Sequence, residues 1–264
     1  MAKGRLDQAA ALLAEMRLGG RLFDHLPESC RPLDEAEAYA IQDRLHAALD
    51  DAGRGPLIGH KIGCTTDVMQ RYLGIPSPCA GGLFAPDVVA TPGQLRHRDF
   101  RRIGVECEIA VRLGADLPAD AQPHDRESVG VAVASCMAAI ELVDDRYVDY
   151  RKLDTPTLIA DDFFNAGAVL GPSVQDWQSL DLARLQGRMS VNGETAGEGE
   201  GAAILGHPFE ALAWLANAMH ARGRDVRQGE IVLLGSIVQT QWVAVGDRVD
   251  ITIDGLGSAS VVFD

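Results

Sequence analysis

Residues 101–113 alternate in polarity with the period of a β-strand, and this feature constrains the chain more than any other. Successive side chains of a strand point to opposite faces of a sheet. One face is apolar, as expected for core, and carries Ile103, Val105, Cys107, Ile109 and Val111. The other face carries Glu106 and Glu108 side by side. Burying two carboxylates costs on the order of several kcal/mol unless they are paired or neutralised, so a buried position would require positive charge beside them.

A third acid, Glu141, lies in the apolar run Ala138–Val143. A divalent cation would neutralise all three carboxylates at once. Oxygen-only ligands suit Mg²⁺ or Mn²⁺, with water in the remaining coordination positions. The alternative is a pair of glutamates on the solvent face of an antiparallel sheet, and the pattern alone leaves both interpretations open.

Composition and charge narrow the class of protein. The chain has 264 residues, 47% apolar and 23% charged, which is enough for a sizeable core. Its net charge of −14, from 24 basic and 38 acidic residues, argues against nucleic-acid binding. The five cysteines include no CxxC pair, which predicts reduced thiols. Acids interrupt the N-terminal segment too early for a signal peptide, and the longest uncharged apolar run, Val129–Ile140, is too short to span a bilayer. We therefore expect a cytoplasmic protein that binds neither membranes nor nucleic acid.

The first part of the chain is predicted to be helical. Leu6–Met16 forms one helix, and a second begins after Asp34, where Glu37 allows a capping box in which each side chain accepts a backbone N–H. Apolar residues then recur every three or four positions, which predicts one buried face. The breaker Gly53–Pro56 ends this segment. We expect residues 1–55 to pack as a helical segment on a catalytic domain formed by residues 56–264.

Strands dominate the rest of the chain. We expect a strand over Leu57–Ile62, a helix over Thr65–Leu73, a strand over Val131–Val143, a helix over Pro208–Arg222 and several strands over Glu230–Phe263. The run Val131–Val143 is apolar throughout, and its periodicity does not by itself distinguish a strand from a helix. The fold class predicted from these elements is α+β, rich in strands, with a helical N-terminal segment.

Several short motifs, in order from about Ala38 to the C-terminus, resemble those of the 2-keto-4-pentenoate hydratases. No single motif is specific, but the ordered set is. The motifs are Gly59–Gly63, Met69–Gln70, Leu73–Ile75, Gly104–Glu108, Ile140–Arg146, Leu158–Asp161, Ala211–Asn217, Gly229–Leu233, Gly235–Ser236 and Gly255–Ser258. These hydratases and the related 4-oxalocrotonate decarboxylases belong to the fumarylacetoacetate hydrolase superfamily. The resemblance therefore implies a fumarylacetoacetate hydrolase-like mixed β-roll.

The resemblance also implies a metal-dependent lyase that acts on a small 2-oxo acid in aromatic catabolism. In that family an ExE motif and a downstream glutamate hold one Mg²⁺ or Mn²⁺, and they match Glu106, Glu108 and Glu141. The metal chelates the 2-oxo and carboxylate oxygens and stabilises the enolate. In the hydratase reaction, 2-hydroxypenta-2,4-dienoate is ketonised and water then adds at C4. The relatives form homo-oligomers, and the same is expected here.

Lys61 matches the strand lysine near the site of the family. A lysine there binds anionic groups of the substrate or moves a proton, although a salt bridge to one of the site acids is the alternative. Ser236, in a turn after a strand, is placed to hold the substrate carboxylate, and Asp161 to orient Lys61 or a water molecule. Gln70 is a candidate to face the substrate. An ordinary turn serine, a cap or turn acid and a surface glutamine are the structural alternatives, and Arg146 is expected to hold a strand end by ion pairs.

The chain departs from the family pattern where substrate is expected. Cys79 stands where the family usually has an aspartate suited to proton transfer, so it is a candidate catalytic residue or else a small buried apolar group. Phe163, Phe164 and Asn165 replace an alanine and two serines, which makes Asn165 a candidate substrate contact. These changes favour the same enolate chemistry on a larger or more apolar 2-oxo acid.

Two other functions stay open. The first is decarboxylation or C–C hydrolysis of a related 2-oxo acid. C–C hydrolases of the superfamily use a His–Glu pair on a mobile N-terminal segment, for which His25 and Glu28 have suitable spacing. The second is a non-catalytic homologue that uses the fold for binding or assembly. Against it, the three glutamates would be costly to keep without a metal.

Overall fold

The computed structural model describes residues 2–66, 69–71, 74–119 and 123–264. This part of the chain folds as two β-sheets with five α-helices. The helices are α1 (Ala2–Gly19), α2 (Glu35–Leu49), α3 (Arg126–Ala132), α4 (Thr155–Ala160) and α5 (Pro208–His220). The strands are β1 (Leu57–Gly63), β2 (Cys79–Phe84), β3 (Val88–Ala90), β4 (Gly93–Leu95), β5 (Ile103–Leu113), β6 (Val133–Asp144), β7 (Asn165–Leu170), β8 (Gln186–Val191), β9 (Glu194–Glu200), β10 (Ile231–Ser236), β11 (Gln241–Trp242), β12 (Arg248–Ile253) and β13 (Gly257–Phe263).

The larger sheet has eight strands and places β5 at its centre. Its order is β2-β1-β10-β5-β6-β7-β3, and the short β11 also pairs with β5. The smaller sheet has the order β4-β13-β12-β8-β9. It packs on one face of the larger sheet, where β12 and β13 contact β6 and β8 contacts β5. Val105, Cys107 and Ile109 are fully buried on β5, as the alternation predicts. The glutamates between them point to the other face.

The helical N-terminal segment shares its core with the sheets. Helix α2 packs on α1 and on α4, and its buried residues belong to the same apolar cluster as those of β5 and β6. The Asp34 carboxylate caps α2 by accepting a hydrogen bond from Glu37 N, and the Glu37 carboxylate accepts one from Leu33 N. Asp34 thus caps the first helical turn, where backbone donors are left free, as predicted. The reciprocal bond of a capping box is not formed, because Glu37 binds the N–H of Leu33 and not that of Asp34. The division at residue 55 stays a prediction.

Most of the predicted elements are present. The run Val131–Val143 is a strand from Val133, and α3 covers the residues just before it. The proline-initiated helix ends two residues earlier than predicted, at His220. Of the helix predicted over Thr65–Leu73, residues 67, 68, 72 and 73 lie outside the described residues. Across the described chain, none of the helices has the length and apolar character required to cross a membrane.

Candidate active site

The three predicted ligands meet on neighbouring strands. Strands β5 and β6 are antiparallel, and Glu106 lies directly opposite Glu141 in their register. Glu108 follows two residues later on the same face of β5. One oxygen from each of these three carboxylates lies within 4.8 Å of the other two. Glu108 and Glu141 are buried, whereas Glu106 is half-buried.

The oxygens of this cluster have fewer partners than buried oxygens normally have. Glu108 Oε1 and Glu141 Oε2 accept no hydrogen bond from the described residues. Glu108 Oε2 accepts one from Gly235 N at 2.9 Å, and Glu106 Oε1 accepts one from the Thr240 hydroxyl. Three convergent carboxylates with free lone pairs fit a hard divalent cation such as Mg²⁺ or Mn²⁺, with water or substrate completing the coordination.

The hydrogen bond to Glu108 Oε2 requires a glycine at position 235. Its φ of +120° is a conformation that residues with a side chain rarely adopt, and a Cβ there would lie 2.3 Å from Thr65 Oγ1. The glycine lets the backbone turn at the end of β10 and donate to Glu108.

Without a cation the cluster holds protons. Burial and the neighbouring Glu141 raise the pKa of Glu106 to about 7, while Lys61 and the Thr240 hydroxyl partly oppose that rise. The pKa of Glu108 is raised well above its usual range by burial and by Glu141 and Glu106. Both shifts have causes typical of carboxylates that converge on a cation site, which are desolvation and repulsion between like charges.

Lys61 is the positive side chain of the cluster. It lies on β1, which reaches the glutamates because β1 pairs with β10 and β10 pairs with β5. Its Nζ is 3.1 Å from Glu141 Oε1 and 5.3 Å from the centre of the Phe163 ring. Burial lowers the pKa of Lys61, but Glu141 and other neighbours more than offset that effect, so its pKa is raised. Lys61 is therefore an ammonium that faces the carboxylates, in agreement with the salt bridge considered above.

The cluster opens into a cavity of about 580 Å³. Its polar end carries Lys61, Glu106, Thr240 and Ser236, whose hydroxyl donates to Val238 O at 2.5 Å. Most of the remaining wall is apolar. That wall includes Met69, Val143, Phe163, Phe164, Ile237 and Trp242. The shape therefore combines one charged end with a wide apolar wall, which is typical of sites for small organic acids.

The aromatic wall is carried by a strained backbone segment. Asp162, Phe163 and Phe164 have φ values of +59°, +47° and +67°, which are uncommon for residues with a side chain. Such conformations persist only where the surroundings impose them. The buried Asp162 carboxylate supplies this hold, because it contacts Arg17 Nη1 and His46 Nε2, both at 2.5 Å, and accepts from Gly82 N at 2.9 Å.

Burial opposes the charge of Asp162, but the partners of its carboxylate prevail. His46, Arg17 and the Gly82 N–H together hold the pKa of Asp162 well below its usual range. In the sequence, an acidic doublet at residues 161–162 is the only signal for this role.

Two predicted site residues lie outside the cavity wall. Asp161 does not contact Lys61: its Oδ2 accepts from Arg146 Nε at 2.8 Å and from the Tyr147 hydroxyl at 2.9 Å. Asn165 donates to Gly82 O and accepts from Gly167 N at 3.1 Å. Asp161 and Asn165 therefore position backbone and neighbouring side chains, and the substrate contact expected of Asn165 finds no support. Arg146 holds the end of β6 through an ion pair, as expected. Its partner in that ion pair is Asp161.

Gln70 and Cys79 also support the wall from behind. Gln70 donates to Cys64 O at 2.9 Å and is not part of the cavity lining. Cys79 is fully buried, and its Sγ lies 3.8 Å from Cys64 Sγ. Burial raises the pKa of the Cys79 thiol, so it is a poor proton donor or acceptor for a substrate it does not reach.

The His–Glu pair considered for C–C hydrolysis does not reach the cavity. His25 and Glu28 are exposed, and the His25 ring contacts the Asp24 carboxylate. Sequence reasoning missed three residues that do shape the site: Thr240, which binds Glu106, and His46 and Trp242. Each lies far along the chain from the residues it contacts, and none is part of a motif.

Comparison with known proteins agrees with this geometry. The model of the fumarylacetoacetate (FAA) hydrolase C-terminal family matches residues 74–263. A 2-keto-4-pentenoate hydratase of Burkholderia vietnamiensis is 34% identical over 256 residues, which cover 96% of this chain and 95% of the relative. A 2-hydroxyhexa-2,4-dienoate hydratase of Comamonas testosteroni is 34% identical over 258 residues, covering 93% of this chain and 96% of that one.

A solved structure extends the similarity to the whole fold. The 4-oxalocrotonate decarboxylase from Pseudomonas putida G7, complexed with magnesium and adipate, superposes with a TM-score of 0.93 at 26% identity. The match covers 100% of this chain and 99% of the decarboxylase. The fold and the acidic site thus define an enzyme, and the chain belongs to the fumarylacetoacetate hydrolase family. Within that family its similarity is to the 2-keto-4-pentenoate hydratases and, in structure, to 4-oxalocrotonate decarboxylase, which confirms the resemblance and the fold inferred from the motifs.

Proposed function

We propose that this enzyme is a lyase that hydrates a 2-hydroxy-dienoate, or its 2-oxo tautomer, with a divalent cation bound by Glu106, Glu108 and Glu141. The observation that carries the proposal is the cluster of three carboxylates, two of them with a buried oxygen that lacks a hydrogen bond, at the end of a substrate-sized cavity. The names of the similar hydratases support hydration. The magnesium in the decarboxylase complex supports a divalent cation.

When bound, Mg²⁺ or Mn²⁺ supplies Lewis-acid polarisation of the 2-oxo and carboxylate oxygens of the substrate. Lys61 contributes a fixed positive charge beside them, which attracts the substrate carboxylate and donates a hydrogen bond to it from Nζ. The apolar wall excludes water from most of the cavity and strengthens these electrostatic interactions. Ser236 lies at the polar end, where rotation of its hydroxyl away from Val238 O would direct it to a substrate oxygen.

The shape of the cavity supports a substrate with an apolar end. Phe163, Phe164 and Trp242 line the cavity beside the charged groups and leave few polar contacts for a distal carboxylate. We place the polar 2-oxo acid portion at Glu106 and Lys61 and a hydrocarbon substituent along the aromatic side chains. The proposal extends to a homo-oligomer and to a cytoplasmic location. The five free, buried cysteines support the location, because disulfides are rare in the reducing cytosol.

Decarboxylation is the second candidate, because the whole chain superposes on 4-oxalocrotonate decarboxylase. It would use the same cation site and differ in the bond that breaks. Release of CO₂ from a 2-oxo acid with a second carboxylate distinguishes it from hydration, which releases none.

The first experiment is calorimetric titration of metal-stripped protein with Mg²⁺, with and without oxalate, a mimic of a 2-oxo acid enolate. We expect binding that oxalate tightens and that Glu106→Gln abolishes. Glu198→Gln is the matched control, because Glu198 is an exposed carboxylate on β9 in an ion pair with Arg188. The loaded enzyme is then assayed for loss of 2-hydroxy-dienoate absorbance and for CO₂. Absence of metal binding would overturn the proposal and favour a non-catalytic homologue.

A further inference from the structure

A second cavity, also of about 580 Å³, lies apart from the candidate active site. Seven arginines line it, one third of the 21 in a chain whose net charge is −14. They are Arg17, Arg21, Arg54, Arg96, Arg98, Arg101 and Arg146. Only three carboxylates share the lining, Asp87, Asp99 and Asp144. The concentration of guanidinium groups is therefore a local feature that the overall charge of the chain would not predict.

Five of the arginines have a carboxylate partner. Arg17 pairs with Asp162, and Arg146 pairs with Asp161. Neither aspartate is part of the cavity lining. The other three pairs are closer to solvent: Arg54 with Asp87, Arg96 with Asp99, and Arg21 with Glu15. Their charges are largely balanced within the protein, and exposed pairs of this kind contribute little to stability.

The remaining two arginines are different. Arg98 and Arg101 are exposed and form no ion pair with any residue in the described ranges. Asp144 is the third acid of the lining, besides Asp87 and Asp99. Its carboxylate accepts hydrogen bonds from the backbone N–H groups of Arg101 and Arg102, at 2.8 and 2.9 Å. Two guanidinium groups at one cavity without counter-charge raise the local positive potential and favour an anion between them.

Apolar side chains also line this cavity. They include Leu49, Phe84, Leu95, Phe100 and Leu142. Guanidinium groups bind carboxylate and phosphate oxygens in pairs, with a planar geometry that lysine does not offer. We infer that this cavity is a binding site for a small organic dianion, a phosphate ester or a dicarboxylate, whose charged group is held by Arg98 and Arg101.

The site is separate from the candidate active site because the two cavities lie on opposite faces of the larger sheet. Strand β6 shows this directly: Val143 lines the active-site cavity, whereas Leu142 and Asp144 line the arginine cavity. An anion bound there and an anion bound at Glu106 and Lys61 therefore do not compete for space. This separation makes the two events distinguishable by experiment.

The test uses the full chain loaded with Mg²⁺ and saturating pyruvate, a 2-oxo acid with one carboxylate, so that the active site is filled by a ligand that is not itself a dianion. Inorganic phosphate and succinate are titrated by calorimetry, as separate probes of the phosphate and dicarboxylate chemistries. We expect at least one of them to bind with a Kd of about 1 mM or tighter. The double variant Arg98→Ala/Arg101→Ala should weaken that binding by about tenfold or more. The double variant Arg98→Lys/Arg101→Lys should restore part of the affinity for the probe.

Arg188→Ala is the control variant, because Arg188 is an exposed arginine on β8, in the smaller sheet. It should leave the affinity for the probe unchanged. Three results would overturn the inference: no binding of either probe, equal binding by the alanine double variant, or loss of binding in the control as well. If neither probe binds, light scattering of the double variant shows what the arginines do instead. A loss of oligomer mass would mean that they contact a second copy of the chain. Thermal melting of each variant checks that it is folded.

Discussion

Lys61 and Glu141 form the closest contact between opposite charges in the candidate active site, with 3.1 Å between Nζ and Oε1. This contact gives Lys61 two functions that a variant can separate. One is to compensate the charge of Glu141 when no cation is bound. The other is to act on the substrate, for which its position at the cavity wall is required.

Lys61→Met should therefore lower kcat by about 10²- to 10³-fold, the usual cost of removing one positioned donor that stabilises developing negative charge. Mg²⁺ binding should survive, because the three carboxylates are unchanged and one competing positive charge is gone. Steady-state kinetics and calorimetry measure the two effects on the same sample. Lys61→Arg is the control for charge alone. Loss of metal binding together with activity would contradict the separation of roles.

The raised pKa of Glu106 predicts a pH dependence of the metal-free protein. In the folded state its pKa is about 7, above the ordinary value of 4.5 that applies to the unfolded chain. Folding therefore favours the protonated form, and this stabilisation is complete below pH 4.5 and is lost as pH rises towards 7. Over the same interval Mg²⁺ affinity should increase, because the cation binds the deprotonated carboxylate.

Thermal melting of the metal-free protein across this interval, with and without Mg²⁺, tests both statements. The stabilisation by Mg²⁺ should grow with pH. In Glu106→Gln, which has no proton to lose at this position, the part of the pH dependence due to Glu106 should disappear. A gain from Mg²⁺ that is independent of pH would show that Glu106 is already ionised in the folded protein.

At the scale of a single element, the segment Asp162–Phe164 depends on one carboxylate. Replacement by Asp162→Asn would leave the buried His46 and Arg17 without their anion. Breaking a buried ion pair from one side typically costs about 3–5 kcal/mol of unfolding free energy. Chemical denaturation measures this loss. Asp250→Asn is the control, because Asp250 pairs with Arg248 at the surface, and it should cost less than about 1 kcal/mol.

The aromatic side chains of the same segment should determine which substrate is preferred. Phe164→Ala enlarges the cavity and removes apolar contact from the far end of the substrate. We expect kcat/KM for a substrate with a hydrocarbon substituent to fall by about 10- to 100-fold relative to 2-hydroxypenta-2,4-dienoate. Phe164→Leu should show a smaller change. An equal fall for both substrates would mean that Phe164 maintains the site rather than selecting its ligand.

The elements of this fold differ in how much the sequence reveals. Alternation on β5 was sufficient to place Glu106 and Glu108 on one face, because strand geometry is local. The conformation of residues 162–164 was not accessible, because it depends on contacts of Asp162 with His46, Arg17 and Gly82, which lie 80 to 145 residues away in sequence. For the same reason, the sequence does not reveal that Asp161, predicted to orient Lys61 or a water molecule, and Asn165, predicted to contact the substrate, bind neighbouring protein groups.

For the whole molecule, the metal should act as a part of the fold. Glu108 and Glu141 are buried in the centre of the larger sheet, so a cation bound to them stabilises the structure that all its strands share. A ligand present at 100 times its Kd stabilises the folded state by about 2.7 kcal/mol. Mg²⁺ at that ratio should raise the melting temperature accordingly, and chelation should reverse the rise. Glu108→Gln should remove most of this gain, while the exposed control Glu198→Gln should retain it.

The order of the motifs revealed the family and thereby the fold of the whole chain. The arginine cavity had no such signal. Its side chains come from α1 and its end, the loop before β1, the turns between β4 and β5, and the end of β6. Arg96, Arg98 and Arg101 come from one basic stretch, but the other four arginines come from distant parts of the chain, and only the assembled molecule brings all seven together.

Gly82 limits how the aromatic segment can change during the evolution of this enzyme. Its N–H donates to Asp162 and its carbonyl accepts from Asn165, so both ends of the segment are fixed to one residue of β2. Between these two points the chain has no room to gain or lose a residue, whereas the side chains at 163 and 164 project into open cavity. Descendants of this chain should therefore acquire new substrates by point substitution at these two positions, with the length of the segment unchanged.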